Sequence, residues 1–275
     1  MTVLVRTINL TRTIECRRSE PLIYMPCEEV IALKVSAIIS ITLLAALCLC
    51  SQNRNAIWQA ELAAMEDSVG KSPGKARPRL NLGVYFVEQG RLEQAVKEFL
   101  AAQALDPGDA TAHYDLGIAY ERMGLFDRAV DEYQRALSID PDKIVARFNL
   151  ARVRLSQGDL AQAEAEYRAV LAYAPQYPEA LTNLGVVYYY QGRTDFAIQE
   201  HQQALRIRPD YADAHTNLGN AYLALQRFAE ARDEYETALR INPLDAETRN
   251  NLAVLYQRWQ QNRSADIPGK KNVLH

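Results

Sequence analysis

The chain has 275 residues and carries 31 Lys and Arg against 34 Asp and Glu, a formal net charge of −3. This near-balance excludes a bulk electrostatic pull toward nucleic acid, and no Lys/Arg run in the body of the chain would track phosphates. The four cysteines, Cys16, Cys27, Cys48 and Cys50, all lie near the N-terminus without Cys-x-x-Cys spacing, so neither a zinc site nor any other metal site is expected.

In chain order, residues 1–29 form a mixed flank containing Arg12, Arg17 and Arg18. Residues 30–50 follow as an apolar segment, expected to be helical, whose stretch Val35–Cys50 (VSAIISITLLAALCLC) has no charge. A membrane-spanning helix needs about 20 largely apolar residues. The segment therefore reads as a short transmembrane anchor, with Lys34 snorkelling to the interface. It also has the length of the apolar core of a secretion signal. Cations precede it, and only Arg54 follows closely. That bias puts the N-terminus in the cytoplasm and the rest of the chain across the membrane, in the periplasm of a two-membrane bacterium. Cys48 and Cys50 are candidate lipidation sites, although Leu47 and Leu49 stand where a bacterial lipoprotein signal places a small residue. Residues 51–75 read as a linker with a short helix at 56–66 and a turn-rich end from Gly70 to Lys75.

Residues 76–260 repeat. Pro73, Pro107, Pro141, Pro175, Pro209 and Pro243 recur at a period of 34. A period of this size means stacked copies of one small unit rather than one closed core. Ten residues after each proline stands a small residue, at Gly83, Gly117, Ala151, Gly185, Gly219 and Ala253, each preceded by leucine. Phe86, Tyr120, Tyr188, Tyr222 and Tyr256 form an aromatic column that Arg154 breaks. Turn glycines at Gly90, Gly124, Gly158 and Gly192 lapse to Gln226 and Gln260. Ala95, Ala129, Ala163, Ala197 and Ala231 are followed four residues later by Phe99, Tyr133, Tyr167, His201 and Tyr235. Apolar positions three and four apart line one helical face. The mid-repeat glycine ends a first helix, and the small residues let two antiparallel helices approach. The proline stops the second helix. The tail, 261–275, has no apolar period and reads as flexible.

These columns resemble the tetratricopeptide repeat, most fully at 212–243 (ADAHTNLGNAYLALQRFAEARDEYETALRINP). The early tryptophan of that family is absent, its slot being held by Arg79, His113, Arg147, Leu181, His215 and Arg249. The resemblance covers 76–260, as units 76–109, 110–143, 144–177, 178–211 and 212–245 plus a terminal helix at 246–260. It implies an all-α fold: a right-handed superhelical solenoid of helix-turn-helix repeats whose first helices line a concave groove.

On that face one polar column precedes the leucines: Asn81, Asp115, Asn149, Asn183, Asn217 and Asn251. An amide carries one acceptor and two donors, so an asparagine ladder can pair with the C=O and N–H of an extended backbone whatever its side chains. The column is similar to the asparagine ladder in the repeats of O-linked N-acetylglucosamine transferases, which holds substrate peptide. An alternative role is structural, with each amide bonded to neighbouring backbone or fixing the loop between repeats. Arg152, Tyr189, Tyr190 and Asn220 are further candidate contacts on the groove. The lysine pair with which some relatives hold a C-terminal carboxylate is not evident, since Leu80, Tyr114, Phe148, Thr182, Thr216 and Asn250 precede the ladder.

No catalytic constellation, phosphate loop or nucleophile elbow is present in the sequence, and no cofactor is expected. His201 reads as a packed substitute for a core aromatic. The expected function is a non-catalytic interaction scaffold binding a protein or extended peptide, tethered at a membrane or exported across it. Two alternatives share the fold. One is an envelope assembly factor, resembling in architecture alone the pilotin lipoprotein of type IV pili. The other is an accessory subunit of a glycosyltransferase or other enzyme.

Overall fold

The computed structural model describes residues 58–265. The expected anchor or signal at 30–50, with Cys48 and Cys50, lies outside the described residues, as does the tail beyond 265. Every regular element described is an α-helix. Helix α1 covers residues 58–71. It is followed by α2 (Ala76–Glu88), α3 (Leu92–Leu105), α4 (Ala110–Arg122), α5 (Phe126–Ile139), α6 (Ile144–Ser156), α7 (Leu160–Tyr173) and α8 (Pro178–Tyr190). Then come α9 (Thr194–Ile207), α10 (Ala212–Ala224), α11 (Phe228–Ile241) and α12 (Ala246–Ala265). No helix among the described residues is long and apolar enough to cross a membrane.

Consecutive helices pack as hairpins, and each hairpin packs on the next. The close approach within a hairpin depends on the small-residue column. A Cβ placed on Gly83 would lie 2.4 Å from the Phe99 ring, one on Gly117 2.6 Å from Tyr133, one on Gly185 2.5 Å from His201 and one on Gly219 2.6 Å from Tyr235. These distances are far inside van der Waals contact, so each glycine is the slot into which the aromatic of the second helix presses. Ala95, Ala129, Ala163, Ala197 and Ala231 are fully buried beside them.

The turn between the two helices uses the left-handed region, with φ of 72–78° at Gly90, Gly124, Gly158 and Gly192. Gln226 makes the same turn at φ 57° without being glycine. At Gln260 there is no turn, and α12 runs on through it. In three units the arginine five residues on lies over the aromatic at the end of the first helix, Arg91 on Phe86 at 4.6 Å, Arg193 on Tyr188 at 4.4 Å and Arg227 on Tyr222 at 4.4 Å, and in the second unit Arg128 lies over Tyr120 at 5.7 Å. The third unit replaces both partners. Arg154 takes the aromatic slot and Asp159 the arginine slot, and the two face each other at 4.0 Å. The break in the aromatic column is thus a paired exchange of chemistry.

The apolar core is a ribbon of clusters passed from hairpin to hairpin, not a central mass. Its first end is covered by Leu62, Met65 and Val69 of α1, within the stretch expected to be linker. At the other end Leu255 of α12 is fully buried and Trp259 stacks on Phe228 at 6.0 Å.

Candidate partner-binding groove

In four of the five successive pairs the first helices also touch one another directly: α2 with α4, α6 with α8, α8 with α10 and α10 with α12. No pair of second helices makes a comparable contact among the described residues. The side on which neighbours sit closer is the inner side of a bend, so the even-numbered helices line the inner face.

The ladder residues occupy one position on each of those helices. Asn81 is exposed, and Asp115, Asn149, Asn183, Asn217 and Asn251 are half-buried. Their amides are used unevenly. Asn149 donates to the Tyr114 hydroxyl at 3.4 Å and accepts from Arg152 at 3.5 Å. Asn251 donates to Oδ1 of Asn220 at 3.1 Å, an oxygen that also accepts from the Tyr235 hydroxyl at 2.7 Å. Asn183 lies beside the buried Tyr167 hydroxyl, and the two do not form a well-aligned hydrogen bond. Asn81 and Asn217 make no hydrogen bond with other described residues. None of the ladder bonds goes to backbone, so the ladder is partly spent on side chains of adjoining helices and partly free.

The other candidates divide in the same way. Arg152 bridges to Glu121 of the preceding unit at 2.8 Å, and that carboxylate also accepts from Tyr133 at 2.8 Å. Asn220 has its carbonyl committed, leaving only its amide hydrogens. Tyr189 packs between two core clusters. Tyr190 is 66% exposed and sits two helical turns beyond Asn183, on the same stripe. Asp115 carries an electrostatic feature of its own. Burial pushes its carboxyl up to about 6, with Lys143 opposing the shift and Asp109 adding to it.

The position just before the ladder decides how deep the groove is. Tyr114 and Phe148 fill that position in the second and third units, with Phe148 stacked on Tyr177 at 5.1 Å. Thr182 and Thr216 are smaller, and an open cavity of about 300 Å³ remains there. It is lined by Thr182, Asn183, Asp213, Asn217, Asp245 and Glu247 among others. The column reading found two of these residues, Asn183 and Asn217. It missed the acids because they come from two helices and a loop. The available clue was the second residue of each first helix, which changes from Arg77 to Glu179, Asp213 and Glu247 along the chain.

Models of the tetratricopeptide repeat match residues 80–144, 122–184, 154–200 and 212–245, and a model described as TPR repeat matches 187–226. Together they run without a gap over more than half of the chain. The chain belongs to the tetratricopeptide-repeat family. No curated protein matches it. Among solved structures it is similar to the APC/C hetero-tetramer Cut9–Hcn1, with TM-score 0.63 and 23% identity over 73% of this chain, which spans 40% of that one. It is also similar to YrrB, described as a TPR protein with an unusual peptide-binding site, with TM-score 0.58 and 21% identity over 72% of this chain and 98% of that one. A third is pilF of Pseudomonas aeruginosa, with TM-score 0.58 and 19% identity over 73% and 95%. At these identities the likeness is one of fold. Tetratricopeptide repeats bind proteins or peptides, and this chain is a protein-interaction scaffold.

Proposed function

We propose that the scaffold takes an extended segment of a partner protein along its inner face, gripped through backbone by the asparagine ladder. The observation that carries this reading is the open cavity beside Asn183 and Asn217, of which Asn217 has no hydrogen bond inside the protein among the described residues. An unspent amide in an open groove can exchange both donor and acceptor with a peptide bond at little cost. YrrB, with its peptide-binding site, offers an analogy of fold for this use. The chain itself does no chemistry and presents a surface. The apolar segment at 30–50 supports tethering or export, with the repeats on the non-cytoplasmic side. The pilotin-like and enzyme-accessory roles would use this same groove, and no observation favours either.

The test is affinity selection of peptides on the repeat protein, followed by titration of the selected peptide. The combined variant Asn149→Ala, Asn183→Ala, Asn217→Ala is expected to keep its melting temperature within a few degrees and to lose about tenfold or more in affinity. Unaltered affinity would leave the ladder with a structural role only.

A further inference from the structure

The cavity between α8, α10 and α12 has a chemistry that the ladder alone does not explain. Three carboxylates, Asp213, Asp245 and Glu247, line it. Their counter-charges are few. Arg208, the nearby cation on the preceding loop, is held by Glu179 at 2.7 Å and lies over the Tyr211 ring at 4.9 Å. Arg249 acts on Asp245 but donates to the Pro243 carbonyl at 2.8 Å. Asp213 and Glu247 make no ion pair with any described residue. Asp245 accepts the Glu247 amide at 3.0 Å and the Thr248 hydroxyl, which orients it without neutralising it. The described acids do not form a set that could hold a metal ion.

A second observation points into the same cavity. Thr182, which lines it, is 2% exposed, and its hydroxyl has no hydrogen-bond partner. A buried hydroxyl left unpaired is costly, and a donor brought in by a ligand would satisfy it. The pocket therefore offers two ladder amides and a negative field, is open to the groove, and has the unpaired Thr182 hydroxyl buried in its wall.

We propose that this cavity is a specificity pocket for an arginine side chain on the bound segment. Guanidinium presents five N–H donors in a fixed plane and is only weakly hydrated. It can serve acceptors at several points at once, where a lysine ammonium acts as a compact point charge. The ladder then holds the backbone of the segment, and the pocket sets which residue lies at the fourth and fifth units. This inference rests on the groove reading above.

Three fluorescent peptides of one extended alanine–serine sequence, differing only in a central arginine, norleucine or glutamate, separate the two. Binding to the full chain is measured by anisotropy. The arginine peptide is expected to bind about tenfold tighter than the norleucine peptide, and the glutamate peptide weakest. In the double variant Asp213→Asn, Glu247→Gln, the arginine preference is expected to vanish while norleucine affinity holds. Both positions are exposed, and an unchanged melting curve shows that the variant folds. Equal binding of all three peptides by the unaltered protein overturns the arginine pocket and leaves the groove reading standing. An arginine preference that survives in the double variant places the cation elsewhere and also overturns it. Failure of all three to bind overturns both readings together.

Discussion

In four of the five full repeats, the slot that holds tryptophan elsewhere in the family has become a clasp between the two helices. Arg79 meets Glu98 at 2.9 Å, His113 meets Glu132 at 2.7 Å, Arg147 meets Glu166 at 2.9 Å and His215 meets Glu234 at 2.6 Å. Arg147, His215 and Arg249 also cap the carbonyl of the proline six residues earlier. In the fourth unit Leu181 takes the slot, and Glu200 loses its partner; burial raises its carboxyl above the ordinary value, with Arg168 opposing the shift. The two histidines most strongly placed pull stability in opposite directions with pH. Burial of His215 disfavours its cation, but the Glu234 hydrogen bond, the Pro209 carbonyl and the Glu234 charge outweigh it and raise the value. Its contribution is fully present below the ordinary value of 6.5 and is lost as pH rises through the raised one. His215→Arg should therefore flatten the fall in melting temperature above pH 6.5, read by thermal melts across pH 5–9; an unchanged slope would deny the clasp. His201 is 1% exposed, and burial lowers its value to about 3. It stays neutral when folded, so its contribution fades as pH drops from 6.5 toward 3. His201→Phe removes that loss and a buried, unpartnered Nδ1. It should raise the melting temperature, more at pH 5 than at pH 8, and equal gains at both would contradict the assignment.

The helix hairpin is where the sequence was most legible. Its contacts are local, so a column such as Gly185 with His201 could be read from spacing alone. The same column makes a sharp prediction. Gly185→Leu drives a side chain into the His201 ring and should cost about 1–3 kcal/mol or more by denaturant titration. A midpoint that does not move would remove the basis for the hairpin register. Exceptions were less legible. The lapse of glycine at Gln226 did not reveal that the chain still turns there through positive φ, whereas at Gln260 it runs on as helix. Arg154 looked like a defect until Asp159 appeared opposite it. A short helix was expected at 56–66 and is found at 58–71, but its place in the stack was hidden in what read as linker, because its apolar residues, Leu62, Met65 and Val69, are few and are explained only by the hairpin they cover.

Across the stack of hairpins, stability is passed between neighbours, and α1 and α12 close the two ends of the ribbon. The buried Thr216–Thr248 bond at 2.6 Å shows how the last units differ, tying α10 to α12 through hydroxyls. That change from aromatic to threonine leaves the groove deeper at one end, and it sets the acidic pocket there. The ladder itself was visible as a column. How its amides are spent was not, because Asn220, Asn149 and Arg152 are paired by neighbours on adjoining helices that no single-repeat pattern contains. The measurement that bears most directly on the inner face as the working surface is site-specific photocrosslinking in the native cell. A photoreactive residue would replace Asn217 on α10 in one variant and the exposed Gln134 on α5 in another, with mass spectrometry of the adducts. A partner segment attached through position 217 and none through position 134 is the predicted result. Adducts from position 134 with none from position 217 would contradict it.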